Sequence, residues 1–143
     1  MLSSILTVCT GNICRSPMAE ILLRERLKEE GVEVSSAGLM ALVGQPADPL
    51  AIALLAERGL DAASHRARQI TTEIATGAEL ILVMELWQQR DLEKNIPQVK
   101  GRIFRLGHWR KFDIIDPYRQ GRESFAEALA AIDRGINNWI EVL

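Results

Sequence analysis

The sequence is poor in the residues that build covalent or metal-linked scaffolds. It has two cysteines, Cys9 and Cys14, and two histidines, His65 and His108. Two thiols cannot staple a secreted disulfide framework. Neither histidine stands at a ligand spacing from another His, Cys or acidic cluster, so no metal or other cofactor is expected. Long apolar runs are missing too. The longest, from Leu50 to Ala56, is far short of the ~20 residues that span a bilayer, so no membrane insertion is expected. No charge of one sign dominates: 17 basic residues stand against 19 acidic ones, a formal net charge of −2. Net attraction to nucleic acid is not expected, though a local basic patch could exist. Neither G-x-G-x-x-G nor G-x-x-x-x-G-K-[ST] occurs, which disfavours a nucleotide-binding loop. No basic segment precedes the first apolar run, so no secretory signal is expected and a reducing cytoplasm is the default.

What remains is ordinary globular material. The chain of 143 residues is 48% hydrophobic and 25% charged. Surface scaling predicts about 7,400 Å² exposed when folded against about 23,000 Å² extended, enough burial for a sizeable core. Length and the absence of a linker point to one domain over residues 1–143.

The apolar, β-branched run at 4–8 reads as a buried strand. Residues 10–16 read as a tight loop, with Ser16 as N-cap and Pro17 at the first position of a helix reaching Leu27. Apolar residues 19, 22, 23 and 27 form its inner face, and Gly31 stops it. A strand at 32–37, a loop at 38–49 and helices at 50–57 and 71–76 follow. The most apolar strand, 80–84, is expected at the centre of the sheet. A polar helix at 86–94, a strand at 102–106 and a loop at 108–121 lead to the clearest helix. There Phe125, Leu129, Ile132, Ile136, Trp139, Ile140 and Leu143 recur mostly at three and four. Strands alternating with helices predict an α/β fold with a parallel sheet covered on both faces. Ligands of such sheets sit outside the carboxyl ends of the strands, so the loops after strands one, three and four matter most.

The first of these loops is the most unusual: Cys9-Thr10-Gly11-Asn12-Ile13-Cys14-Arg15-Ser16-Pro17. Backbone amides of a tight, glycine-containing loop ahead of a helix N-terminus can converge on an anion. Arg15 adds a planar fork that grips two phosphate oxygens. A thiol at the base of this cradle is expected to ionise readily and to attack whatever anion is bound. Ser16 is placed to donate to the thiolate, and Asn12 tolerates the left-handed backbone such a loop needs. A buried Cys ending a strand is often inert, but then Gly11, Arg15 and Ser16 would be coincidences. A thiolate displacing an oxygen leaving group needs an acid to protonate it. His65 and His108 read better as structural hydrogen-bonding residues. Asp116 is the better candidate, although on residue chemistry alone Asp116-Pro117 is as readily a plain turn.

These residues resemble the signature of the low-molecular-weight protein tyrosine phosphatases, and the resemblance covers nearly the whole chain. Ser35-Ser36-Ala37-Gly38, the segment from His65 to Ile70, Leu82-Val83-Met84-Glu85 and Asp116-Pro117-Tyr118 each match the family pattern, except that Asp is usual where Glu85 stands. The resemblance implies a three-layer α/β/α sandwich with a central four-stranded parallel sheet and a phosphate-binding loop after its first strand. It implies Cys9 as nucleophile, Arg15 as the clamp on the phosphoryl oxygens and Asp116 as general acid. Thr10, Gly11, Asn12, Ile13, Cys14 and Ser16 would bind the phosphate, while Ser36 and Asn12 would hold the loop in shape. Tyr118 would line the entrance, Leu42 would stand where some relatives have an aromatic wall, and Cys14 would trap an oxidised Cys9 as a disulfide.

Segments 38–44, 107–109 and 116–119 resemble the bacterial capsule and exopolysaccharide branch. The implied partner is the phosphotyrosine tail of a tyrosine autokinase, with inorganic phosphate as product and with Arg119 or Arg122 at the rim. Three rivals share the cradle. An arsenate reductase needs further cysteines, and none follows Cys14. A protein-arginine phosphatase typically has Thr where Ile13 stands. A non-catalytic phosphate-binding module has no need of Cys9 and Asp116 together.

Overall fold

The computed structural model describes residues 2–143. Four strands form one parallel sheet: β1 (Ser4–Cys9), β2 (Glu33–Gly38), β3 (Leu80–Val83) and β4 (Ile103–Arg105). Their order is β2-β1-β3-β4, so the two most apolar strands are interior. Ile5 pairs with both Val34 and Leu80, and Val8 with both Ala37 and Val83. Five α-helices connect and cover the strands: α1 (Arg15–Arg26), α2 (Pro49–Ala56), α3 (Thr72–Thr76), α4 (Leu86–Asn95) and α5 (Arg122–Ile140). A single 3-10 turn at His108–Arg110 stands where the sequence reads as loop, and another at Pro97–Val99 falls between the expected helix and strand.

Side-chain alternation along the strands explains the three layers. Ile5, Cys9, Leu80 and Leu82 face a core closed by Met18, Leu23, Leu55, Phe125 and Ile132 of α1, α2 and α5. Leu6, Val8, Ile81 and Val83 face the opposite core, closed by Ala75 of α3 and Leu92 of α4. The apolar stripe expected of α5 lies inward, with Phe125, Leu129, Ile132, Ile136 and Trp139 all buried. Trp139 also donates its indole N–H to Leu106 O at 3.0 Å, fixing α5 to the end of β4. The folded chain exposes 7317 Å², close to what its mass predicts.

One expected boundary is corrected. The N-cap of α1 is Cys14, and Ser16 lies inside the helix. Its hydroxyl makes no cap bond because it is committed to Asn12 and Cys9. Pro17 then falls at the third helical position, where its missing N–H is still one of the four without an intrahelical acceptor. The start of α1 is tied back to the sheet by Thr7, whose buried hydroxyl donates to Ser16 O at 2.8 Å.

Candidate active site

β1 delivers Cys9 to the carboxyl edge of the sheet, and the chain turns through residues 10–14 before α1 begins. The carbonyls of this loop are engaged from outside it. Cys9 O accepts from Leu39 N–H at 3.0 Å, Thr10 O from Met40 at 2.9 Å, Gly11 O from Leu42 at 3.0 Å and Ile13 O from Asp48 at 2.8 Å. Asn12 O lies 2.7 Å from Nε2 of His65, the structural partner role expected of that histidine. A trans peptide points its C=O and the following N–H in opposite directions. Carbonyls turned out toward residues 39–48 and His65 therefore turn the amides of residues 10–14 inward. Asn12 N–H follows this rule and donates to Cys9 Sγ at 3.3 Å. The first turn of α1 contributes further N–H groups without intrahelical acceptors. The result is an anion nest with a sulfur at its base.

Asn12 holds the nest closed. Its backbone is left-handed, at φ 59. Its buried amide donates to Ser16 Oγ at 2.8 Å and Ser36 Oγ at 3.0 Å, and accepts from Arg68 N–H at 2.9 Å. The Ser36 hydroxyl in turn donates a hydrogen bond to the Glu20 carboxylate. Because Ser16 Oγ already accepts from Asn12, its proton is left for Cys9 Sγ, 3.0 Å away.

Arg15, 1% exposed, is pinned by one edge of its guanidinium. Nη1 donates to Glu85 Oε2 at 2.8 Å and to Ile114 O at 2.7 Å. Nε and Nη2 make no hydrogen bond among the described residues, and Nη2 comes within 3.7 Å of Asp116 Oδ2. Asp116 is about half exposed, and its other oxygen accepts from Tyr118 N–H at 3.0 Å, a turn that fixes the carboxyl group. Cys9, Thr10, Gly11, Ile13, Cys14, Arg15, Leu42, Asp116 and Tyr118, all named from the sequence, meet around one open pocket of about 220 Å³. Met40 joins them, a wall residue that the sequence does not mark. Cys9 and Cys14 are both free thiols. Burial pushes the Cys14 thiol well up from its ordinary value; the charges of Asp48, Cys9 and Asp116 add to this, and Arg15 opposes it.

Residues 4–143 match the low molecular weight phosphotyrosine protein phosphatase family. The chain belongs to that family. The phosphatase is 49% identical over 140 residues to the "Probable low molecular weight protein-tyrosine-phosphatase EpsP" of Ralstonia solanacearum, covering 98% of this chain and 95% of that one. It is 43% identical over 144 residues to the low molecular weight protein-tyrosine-phosphatase Wzb of Escherichia coli K12, covering 100% and 97%. Its fold superposes on Vibrio vulnificus Wzb in complex with benzylphosphonate with a TM-score of 0.94, at 38% identity and full coverage of both chains.

Two features of the phosphatase go beyond the sequence pattern. Glu85, where Asp is usual, still reaches Arg15, so the longer carboxylate keeps the anchor. Of the two expected rim arginines, Arg119 stacks over the Tyr118 ring, 5.0 Å from its centroid. Arg122 pairs with Glu57 on the surface, with contacts of 2.6 and 2.8 Å. The part played by Ile114 O is invisible in the linear pattern. Glu85 could have been suspected from its place at the carboxyl end of β3.

Proposed function

We propose that this phosphatase hydrolyses phosphotyrosine in two steps through a cysteinyl-phosphate. Cys9 thiolate attacks phosphorus in line while the inward amides and the free edge of Arg15 hold the equatorial oxygens. Asp116 gives its proton to the departing phenolic oxygen, and the S–P bond replaces the O–P bond. Asp116, now a carboxylate, takes a proton from water, whose oxygen attacks phosphorus and releases phosphate and the thiolate. The observation that carries this reading is the convergence, in one pocket, of the Cys9 sulfur, the loop amides, the anchored Arg15 and Asp116. Ile13, Leu42 and Tyr118 give the pocket apolar walls suited to an aryl ester. They suit a charged phosphoguanidine poorly, which sets the arginine phosphatase reading second.

The reading extends to a physiological role in the cytoplasm: dephosphorylating the tail of a tyrosine autokinase that controls polysaccharide export. Its supports are the resemblance in segments 38–44 and 116–119 and the similarity to EpsP and Wzb.

The test is turnover of aryl phosphates with inorganic phosphate or vanadate as competitor. Cys9→Ser should bind phosphate without turnover. Asp116→Asn should lose about 10²–10⁴-fold on esters with poor leaving groups and far less on p-nitrophenyl phosphate. The reaction needs Cys9 ionised and Asp116 protonated together, so kcat/KM should fall on both sides of a mildly acidic optimum. An equal Asp116→Asn loss across all leaving groups removes the acid role. Phosphate binding without turnover by the unmodified protein leaves a binding module, and faster release of phosphate from phosphoarginine transfers the substrate.

A further inference from the structure

Gln88 is polar, uncharged and fully buried, at 0% exposure, on the first turn of α4. Its amide joins two segments that the chain itself does not join. Oε1 accepts from the N–H groups of Met84 and Glu85, both at 2.9 Å. Nε2 donates to Thr10 Oγ1 at 3.1 Å. Two backbone donors fix which end of the amide faces β3, so the NH₂ end has to face Thr10. Thr10 is the first residue of the loop after Cys9 and lines the pocket. Glu85 is the carboxylate that anchors Arg15. A single side chain thus spans from the guanidinium's anchor to the amide nest. A hydroxyl that accepts from Gln88 also has its rotation restricted, with its own proton directed elsewhere.

We propose that Gln88 and Thr10 form a positioning pair that sets the phosphate-binding loop against Arg15, so that amides and guanidinium meet one anion in register. The inference rests on the phosphate-binding reading of the site and not on the identity of the substrate protein. The alternative is a helix cap alone. For that, the Oε1 bonds to Met84 and Glu85 suffice, and the Thr10 bond would be incidental.

Thr10→Val separates the two, because it keeps the side-chain shape and leaves the Gln88 cap in place. The readouts are phosphate affinity, from protection of Cys9 against iodoacetate, kcat and KM on p-nitrophenyl phosphate, and Tm. Thr10→Val should weaken phosphate and lower kcat/KM about tenfold, and it should also lower Tm by a few degrees because it leaves the buried Gln88 Nε2 without an acceptor. Thr10→Ser, which keeps the hydroxyl, should recover most of the loss. In a double-mutant cycle with Gln88→Met, the combined loss in phosphate affinity should fall well short of the product of the single losses. Phosphate affinity within twofold of the parent in Thr10→Val, or losses that multiply, would overturn the pair. If the parent binds phosphate but turns nothing over, the enzymatic reading fails, while the positioning pair is still judged on phosphate affinity.

Discussion

Cys14 shows how burial sets the chemistry of one atom. Its thiol is held well above its ordinary value of 9.0, first by desolvation and then by the charges of Asp48, Cys9 and Asp116. The unfolded chain ionises this group near pH 9, whereas the folded chain keeps the proton until far higher pH. The stabilisation from a raised folded value is complete below the unfolded value and declines as pH rises toward the folded one. Between pH 8 and pH 10 the protein should therefore lose about 1.4 kcal/mol through this group. Urea unfolding at the two pH values should show that loss in the parent and not in Cys14→Ala; parallel behaviour would refute it. If Cys14 traps an oxidised Cys9, as the family resemblance implies, its thiolate makes the attack, and disulfide closure after peroxide should speed up with pH. Residue chemistry of this kind is only half legible in sequence. The left-handed Asn12 and the structural role of His65 follow from residue type and place. The bonds that spend Ser16 on Cys9 and Asn12, and so deny it the cap of α1, arise only once the loop has closed.

Elements meet closely at Gly38, where β2 ends beneath the phosphate-binding loop. In sequence it closes the family-like segment Ser35-Ser36-Ala37-Gly38 and opens a loop, with no sign of a close contact. In the fold a Cβ there would meet Thr10 O at 2.7 Å and Ala41 Cα at 3.1 Å. The residue cannot retreat, because its N–H donates to Arg68 O and its carbonyl accepts from Ile70 N–H, each at 2.9 Å. Gly38→Ala should cost about 1–3 kcal/mol of stability through overpacking and should also weaken phosphate binding by displacing the Thr10 peptide. Gly135 in α5 is as tightly placed, with a Cβ 2.8 Å from Leu106 O, but neither residue lines the pocket. Gly135→Ala should destabilise comparably and leave phosphate affinity intact. Equal effects of the two on phosphate affinity would show that the β2–loop contact does not shape the nest. The elements themselves were readable from periodicity, with ends displaced by a residue or a few. Which element ends touch was not, since contacts between α4 and Thr10 leave no mark on local pattern.

At the scale of the whole molecule, the sheet order β2-β1-β3-β4 gathers the carboxyl ends of all four strands at one edge. The loop after β1 supplies the nest, the stretch after β2 covers it, the end of β3 anchors Arg15, and the segment after β4 brings Ile114 O and Asp116. Alternating strands and helices made that architecture and its binding edge readable in advance. A site assembled from four separated segments exists only in the folded chain, so an anion bound there must stabilise the fold by mass action. At a phosphate concentration of 100 times Kd the gain is about 2.7 kcal/mol. For a domain of this size it corresponds to a rise in Tm of roughly 8 °C. Chloride at matched ionic strength screens surface charges equally but has neither the size nor the oxygens to span the amides and Arg15. Thermal unfolding in phosphate at 100 times Kd should therefore lie roughly 8 °C above that in chloride. The difference should grow with the logarithm of phosphate concentration. Coincident curves in the two salts would mean that the inward amides and the guanidinium do not act on a common anion, and the chemistry assigned to Cys9 would lose its substrate site.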